Sequence, residues 1–265
     1  ILDHHLANEN LPECHAVVNP NRQDEIGNLS HLCAAAVIFL CLVEMRRLLR
    51  VSNEKSPDLM NMLDLVALAT IADVAPLIGV NRAFVRQGLK ILAQRKRVGL
   101  AALSDQIKID QTLSAYHLGF LLGPRINAGG RIGKPDLGAQ LLISQDPHTA
   151  SAIAERLDQL NTERQELEKQ IKEMALAQAM HQNDTDSLAW AAGDSWHPGV
   201  LGIVASRIKE TTNLPSVVIG FNGAIGKGSG RSISGVDLGF AIQKLVSEGL
   251  LITGGGHKMA VGLSL

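Results

Sequence analysis

Aromatic residues are scarce. They make up 3% of the 265 residues, with a single Tyr, which excludes an extended platform of rings for stacking successive bases. No charge sign prevails. The 25 Lys and Arg face 26 Asp and Glu, for a net charge of −1, so no overall basic field announces a nucleic-acid partner and any polyanion must be held by a local patch. Cysteine is rare too. Cys14, Cys33 and Cys41 are odd in number and match no zinc spacing, which excludes a disulfide framework and suggests buried free thiols in a reducing compartment. Long apolar runs are missing: the Cys33 to Val43 stretch is about half of what a spanning helix needs, and no signal peptide is expected. A cytoplasmic protein without membrane contact is expected. What the chain does have is 46% hydrophobic and 19% charged residues, a balance that supports a large core and not global disorder. Its length suits two domains. It opens on Ile1-Leu2-Asp3 without methionine and ends on Ser264-Leu265 within an apolar alternation, so it is expected to be part of a longer protein.

The stretch Ile1-Leu2-Asp3-His4-His5 runs two apolar residues into an acid and two histidines. A buried parallel strand ends this way when it delivers polar side chains to the carboxyl edge of a sheet, where open α/β sheets bind ligands. Asp and His donors suit Mg, Mn or Zn. Adjacent strand residues face opposite sides, so His4 and His5 cannot both ligate one metal without a bend. Asp73 is a lone acid among Ile71, Val74 and Leu77. Such an acid is costly to bury unless paired or metal-bound; the bland alternative is a helix C-terminal residue facing water.

Ala16-Val17-Val18 before Asn19-Pro20-Asn21-Arg22 reads as a strand and turn. Helices are expected from Leu29 to Arg50 with Ser30 as N-cap, from Pro57 with Ser56 as N-cap to Ala72, from Arg82 to Arg95, from Leu113 to Leu122, and from Asp136 to Ser144. Between the last two, the glycine-rich Gly123-Pro124-Arg125-Ile126-Asn127-Ala128-Gly129-Gly130-Arg131 reads as a loop whose amides approach a ligand, with Arg125 and Arg131 as forked phosphate donors. From Pro147 to about Gln182 no Gly or Pro follows Pro147, so one helix spanning roughly 50 Å is expected, ended by Asn183-Asp184-Thr185-Asp186.

The remainder changes rhythm. Strands are expected at 188–192 and 217–221, with a helix opening at His197-Pro198-Gly199, where His197 beside free amides suits an anion. Gly226-Lys227-Gly228-Ser229-Gly230-Arg231-Ser232 lacks Walker spacing. Asp237 is expected to cap a helix to Ser247, and Gly254-Gly255-Gly256-His257 reads as a tight glycine loop bearing one titratable donor. Two glycine-rich cationic segments in one small lobe point to an anionic polymer. The fold class is therefore α/β, with two lobes joined by a long connector helix: residues 1–146, 147–183 and 184–265.

Asp3-His4-His5 followed by Asn19-Pro20-Asn21-Arg22, Ala72-Asp73-Val74-Ala75-Pro76, Gly123 to Arg131, His197-Pro198-Gly199 and Gly254 to His257 resembles, in order and over nearly the whole chain, the single-strand-specific exonuclease branch of the DHH phosphoesterase superfamily. The resemblance implies a parallel-sheet DHH-type domain in the first lobe and a smaller DHH-associated nucleic-acid-binding domain in the last. It implies a Mn- or Mg-dependent phosphodiesterase with a two-metal site, degrading single-stranded DNA 5′-to-3′ in repair and recombination. His4 and Asp73 take the place of metal ligands, and His5, next to Asp3, takes the catalytic place beside the scissile phosphate. Substrate contacts are implied at Arg125, Asn127, Arg131, His197, Arg231, Ser232, Gly255, Gly256 and His257. Single-strand-binding protein and helicase partners are implied as well. Two departures stand out: the family's upstream Asp-x-Asp acids and its oligonucleotide-binding barrel are not in this sequence. Two alternatives remain, a small-substrate phosphoesterase acting on short oligonucleotides or cyclic dinucleotides, and a catalytically inactive nucleic-acid-binding relative.

Overall fold

The computed structural model describes residues 1–7, 9–51, 57–182 and 187–265; the expected N-cap Ser56 and the helix terminator at 183–186 lie outside them. Contact density divides the chain into two units, Ile1–Asn127 with Leu137–Asp158, and Ala128–Asp136 with Gln159–Leu265.

In unit 1 the two expected strands meet as a single parallel bridge, Leu2 with Val18, held by Val18 N to Ile1 O at 2.9 Å and Asp3 N to Val18 O at 3.1 Å. Helices supply the rest. Helix α1 is Ala34–Val51, shorter than expected, because the Ser30 carbonyl accepts from the Asn21 side chain and does not start a helix. The next helix begins as a 3-10 turn, Leu59–Met62, capped by Asp58, and continues as α2, Leu63–Ala72. Then come α3 (Gly79–Leu92), α4 (Val98–Gln106) and α6 (Leu137–Ile143). Helix α4 gave no clear sequence signal. Its Gly99 reads as a breaker, yet a Cβ there would lie 1.9 Å from the Leu141 carbonyl oxygen, so glycine is what lets α4 close on α6.

The segment from Gly123 is not a loop. A helical run beginning at Ala115 passes through a π turn, His117–Leu122, into α5, Gly123–Ile132. A proline inside a helix removes one backbone donor and crowds the preceding turn; the π turn directly ahead of Pro124 is a place where a helix absorbs such a misfit. Two apolar clusters fill unit 1, one around Leu103, Leu118, Leu122 and Leu141, the other around Leu32, Val37, Phe39 and Leu63. Among the buried polar residues of unit 1 is Asp64, which accepts from Arg97 Nε at 2.6 Å and Nη2 at 3.0 Å.

The long helix exists as α7, Pro147–Met180. In unit 2 it leads to β1 (Ala189–Asp194), α8 (Pro198–Thr212), β2 (Ser216–Asn222), β3 (Ile225–Arg231), α9 (Leu238–Ser247), β4 (Thr253–His257) and β5 (Ala260–Ser264). The five strands are ordered β1-β2-β3-β5-β4. Strands β1 and β2 are parallel, joined by α8; the other neighbours are antiparallel. Asp237 caps α9 as expected, accepting from Phe240 N at 2.9 Å. Both glycine-rich segments are strands, including Gly254 to His257, which was expected to be a tight loop. In β3 the glycines fall at every second position, so Gly228 and Gly230 lie on the face covered by Leu263, Val261 and Leu238, while Lys227, Ser229 and Arg231 take the opposite face. That alternation is a strand's period, legible beneath the glycine content. One sheet face packs on α8 and the end of α7 through Val200, Val204, Ile208, Val218 and Ile171. The other packs on α9 through Val217, Leu238, Ile242 and Leu263.

Strand β1 lies at the sheet edge, and two glutamines cover it, Gln178 on α7 and Gln182 just past its end. The Gln178 amide donates to Ala192 O at 2.9 Å and accepts from Ala192 N at 2.9 Å, and Gln182 makes the same exchange with Trp190. The pair reproduces the hydrogen bonds of a neighbouring strand, and a bare edge invites pairing with another chain. Replacing both with leucine should therefore produce concentration-dependent association in sedimentation velocity. A double variant that sediments like the parent at all concentrations would show that the glutamines do not protect the edge.

The described cysteines are all free: Cys33 is buried, Cys41 half-buried and Cys14, against expectation, exposed. No helix among the described residues is long and apolar enough to cross a membrane.

Candidate functional site

In unit 1, Asp3, His4 and His5 form a tight turn after the bridge. Asp3 Oδ1 accepts from the amides of His4 at 2.7 Å and His5 at 3.3 Å, and lies 2.8 Å from His5 Nδ1. These bonds, the His5 side chain first and the His4 amide next, hold the Asp3 carboxyl at about 2, below the usual carboxylate range, so it is ionised at neutral pH. The chain bends here, so the two rings stay close, with centroids 4.5 Å apart and planes tilted by 53°. His4 is mostly buried and presents Nδ1 to Asp73 Oδ2 at 3.6 Å; His5 is largely exposed.

The Asn-Pro-Asn segment, read in the sequence only as a turn and part of the family resemblance, fixes this geometry. Asn19 Nδ2 donates to His5 O at 2.8 Å and Asn21 Nδ2 to His4 O at 2.7 Å, while Asn19 Oδ1 accepts from Asn21 N at 2.8 Å. Arg22 forks onto Asp24 and also donates to Val17 O at 3.0 Å. Asp73 sits at the C-cap of α2 with its own amide on Ala69 O. An α-helix ending there places its carboxylate before His4, half exposed.

The donor set fits part of a divalent-metal site. Two ligands at right angles on Mg²⁺ with bonds of about 2.1 Å are roughly 3 Å apart, so His4 and Asp73 need only close slightly to share one ion. Among the described residues no group of three His, Cys, Asp or Glu side chains could hold a metal, so these two ligands leave most of a coordination shell to other donors.

Unit 2 holds a second constellation. Arg231, half-buried on β3, donates to Ser229 Oγ at 3.1 Å and Gly230 O at 2.8 Å. Helix α8 passes so close that a Cβ on Gly202 would lie 2.7 Å from Arg231 Nη2. Arg131, on α5, donates to Gly199 O at 3.2 Å, and a Cβ on Gly199 would meet Arg131 O at 2.1 Å. Burial first, and then the positive Arg131 nearby, lower the pKa of the Arg231 guanidinium from its usual value. Neither cation is bonded to a carboxylate among the described residues, so both keep donors that an anion could take.

The remaining expected contacts scatter. Arg125 is engaged by Asp158 at 2.7 Å and by Leu121 O. Asn127 is exposed on α5. His197 caps α8 itself, with Nδ1 accepting from Gly199 N at 3.1 Å. The Ser232 hydroxyl is buried and donates to Val236 O at 2.9 Å. His257, on β4, falls in one row with Ala260 and Arg231 across β4, β5 and β3, so the three share a sheet face. Gly256 has φ +141°, and a Cβ there would lie 2.3 Å from Ala260 O, whereas Gly255 has open space where its Cβ would be. Ser229 was missed in the sequence; the alternation in β3 is the signal that places it beside Arg231.

An acid-histidine turn opposite a helix-end aspartate, followed by a mixed sheet, has the features of the DHH phosphoesterase superfamily and its associated domain. The DHHA1 domain model matches residues 185–265. The single-stranded-DNA-specific exonuclease RecJ of Dickeya dadantii is 41% identical over all of this chain, which covers 49% of that protein. A crystal structure of exonuclease RecJ bound to manganese superposes with TM-score 0.81 at 34% identity, covering 100% of this chain and 64% of that one. The Thermus thermophilus RecJ complex with Mg²⁺ superposes with TM-score 0.74 at 32% identity, covering 93% and 36%. The chain belongs to the RecJ family. It spans about half the length of the curated relative named here.

Proposed function

We propose that this chain contributes to a single-strand-specific 5′-to-3′ DNA exonuclease that uses Mn²⁺ or Mg²⁺ to hydrolyse phosphodiester bonds, acting in the cytoplasm in DNA repair and recombination. The observation that carries the reading is the Arg131–Arg231 pair, two guanidiniums bonded to no carboxylate among the described residues, at the C-terminal end of the sheet's central strand. Such a pair takes a strand phosphate, with Ser229 as an adjacent hydroxyl and His257 further along the same face. His4 and Asp73 are proposed as metal ligands; bound there, divalent ions polarise phosphate oxygens and activate water. Asp3 orients His5, whose exposed ring donates to charge developing on the scissile phosphate. Functionally the division proposed is 1–146 for metal and cleavage, 147–183 as connector and 184–265 for gripping the strand. Single-strand-binding protein and a helicase are the proposed partners. With two facing ligands, this stretch by itself is a binder of single strands more than a catalyst, which favours the binding reading for the isolated chain.

The test is fluorescence anisotropy of a dT oligonucleotide across a salt series. Arg231→Ala should weaken binding and reduce the slope of log affinity against log salt by about 0.7, the share of one phosphate contact on a single strand. Arg207→Ala, which removes an exposed arginine paired with Glu210, should leave the slope alone. A slope unchanged by Arg231→Ala would remove Arg231 from the interface.

A further inference from the structure

In a chain so poor in aromatic residues, two of them stand side by side in solvent. Tyr116 and Phe120 are 60% and 69% exposed, with ring centroids 5.1 Å apart and planes 28° from parallel. The pair is braced. His117 meets Tyr116 edge-on at 5.8 Å and 84°, and His117 Nδ1 is held by the Ser114 amide at 3.1 Å and hydroxyl at 2.8 Å. Both rings flank the start of the π turn His117–Leu122, a helix irregularity frequent at functional sites. Gly119, between the rings in sequence, lets this turn close on α2: a Cβ there would lie 3.1 Å from Ile71 Cγ2, two residues before Asp73. The aromatic pair therefore stands on a turn that packs against the C-terminal end of α2, the helix capped by Asp73.

We propose that Tyr116 and Phe120 form a stacking step for a nucleobase of the single strand. The proposal rests on the single-strand reading above and assigns it a base contact where the arginines supply only phosphate contacts. Two rings offer far less than the ~800 Å² per partner of a standard protein interface, whereas a ring face matches one base. Every base has a π face, so a stacking step holds any sequence, as an enzyme that degrades a strand irrespective of sequence requires. Bracing through His117 and Ser114 means little side-chain freedom is lost on binding.

The experiment uses the 265-residue chain with Tyr116→Leu and Phe120→Leu combined, exposed changes that keep apolar bulk and remove the π faces. The Kd for a dT oligonucleotide should weaken about tenfold, with the salt slope unchanged because the phosphate contacts stay. A strand of abasic spacers should bind parent and double variant alike, and Phe120→Trp with Tyr116 intact should bind dT at least as well as the parent. Parent-like dT affinity in the double variant, with the salt slope intact, overturns the stacking step and leaves the single-strand reading standing. Absence of salt-dependent strand binding by the parent overturns both. A parent that sediments as a dimer, converted to monomer by the double variant, would make the rings a contact between proteins and overturn the proposal.

Discussion

Alanine at Asp64 should lower the free energy of unfolding by about 3 kcal/mol, the lower end of the range for removing one partner of a buried ion pair. Asp64 is 3% exposed and accepts two bonds from Arg97, whose guanidinium also reaches Leu142 O and Asn61 O. The one arginine thereby ties the 3-10 turn, α2 and α6 to the start of α4. Removing the carboxylate strands a cation whose side chain is only 21% exposed; that residual access to water keeps the expected loss at the lower end. Urea unfolding followed by far-UV circular dichroism reads the change as a shifted midpoint. Replacing both partners with apolar residues, Asp64→Leu with Arg97→Met, should recover much of the loss, because no charge is then left unpaired. A double replacement as damaging as Asp64→Ala would mean that the bonds to the Leu142 and Asn61 carbonyls, and not the charge pair, hold these elements together.

In a chain of the relatives' full length, His5→Ala should reduce single-turnover cleavage of a 5′-phosphorylated strand by ~10²–10³, the usual cost of losing one donor to transition-state charge, while strand affinity stays near the parent's. Affinity is spread over many phosphate contacts, and His5 is largely exposed, with the turn's hydrogen bonds made by Asp3 and Asn19 to its backbone, so loss of its ring should leave the turn in place. Asp3→Ala should act more weakly on cleavage and through His5, since Asp3 holds the ring by one bond and the turn by two amides. Cleavage by His5→Ala at the parent rate would dismiss the proposed role. Joint loss of rate and affinity would instead place His5 among the groups that hold the metal site or the fold.

Much of the site was legible in the sequence because it is local. Asp3, His4 and His5 are consecutive; the structure bends the chain there, turns one ring toward Asp73 and leaves the other in solvent. The long helix was legible because an unbroken apolar-polar pattern without Gly or Pro has no other regular solution. The caps at Asp237 and His197 were partly legible, the first as a cap, the second only as a helix start.

Glycine misled where composition was weighed above period. Gly123 to Arg131 became a helix because a preceding π turn accommodates Pro124, and nothing in a local window announces that turn. The strands at 225–231 and 253–257 formed because their glycines meet neighbours too close for a Cβ, such as Leu263 beside Gly228 and Ala260 O beside Gly256; those neighbours come from other strands. The sequence by itself determined most helices with clear periods, the consecutive acid and histidines at the end of a short strand, and the change of rhythm after the long helix. Only the tertiary structure decided that Asn19 and Asn21 clamp the histidine backbone, that Arg97 neutralises Asp64 and that Arg131 stands beside Arg231. Each of these joins residues far apart in the chain, and a hydrogen bond or ion pair of that kind depends on distance in space, which periodicity and propensity do not encode.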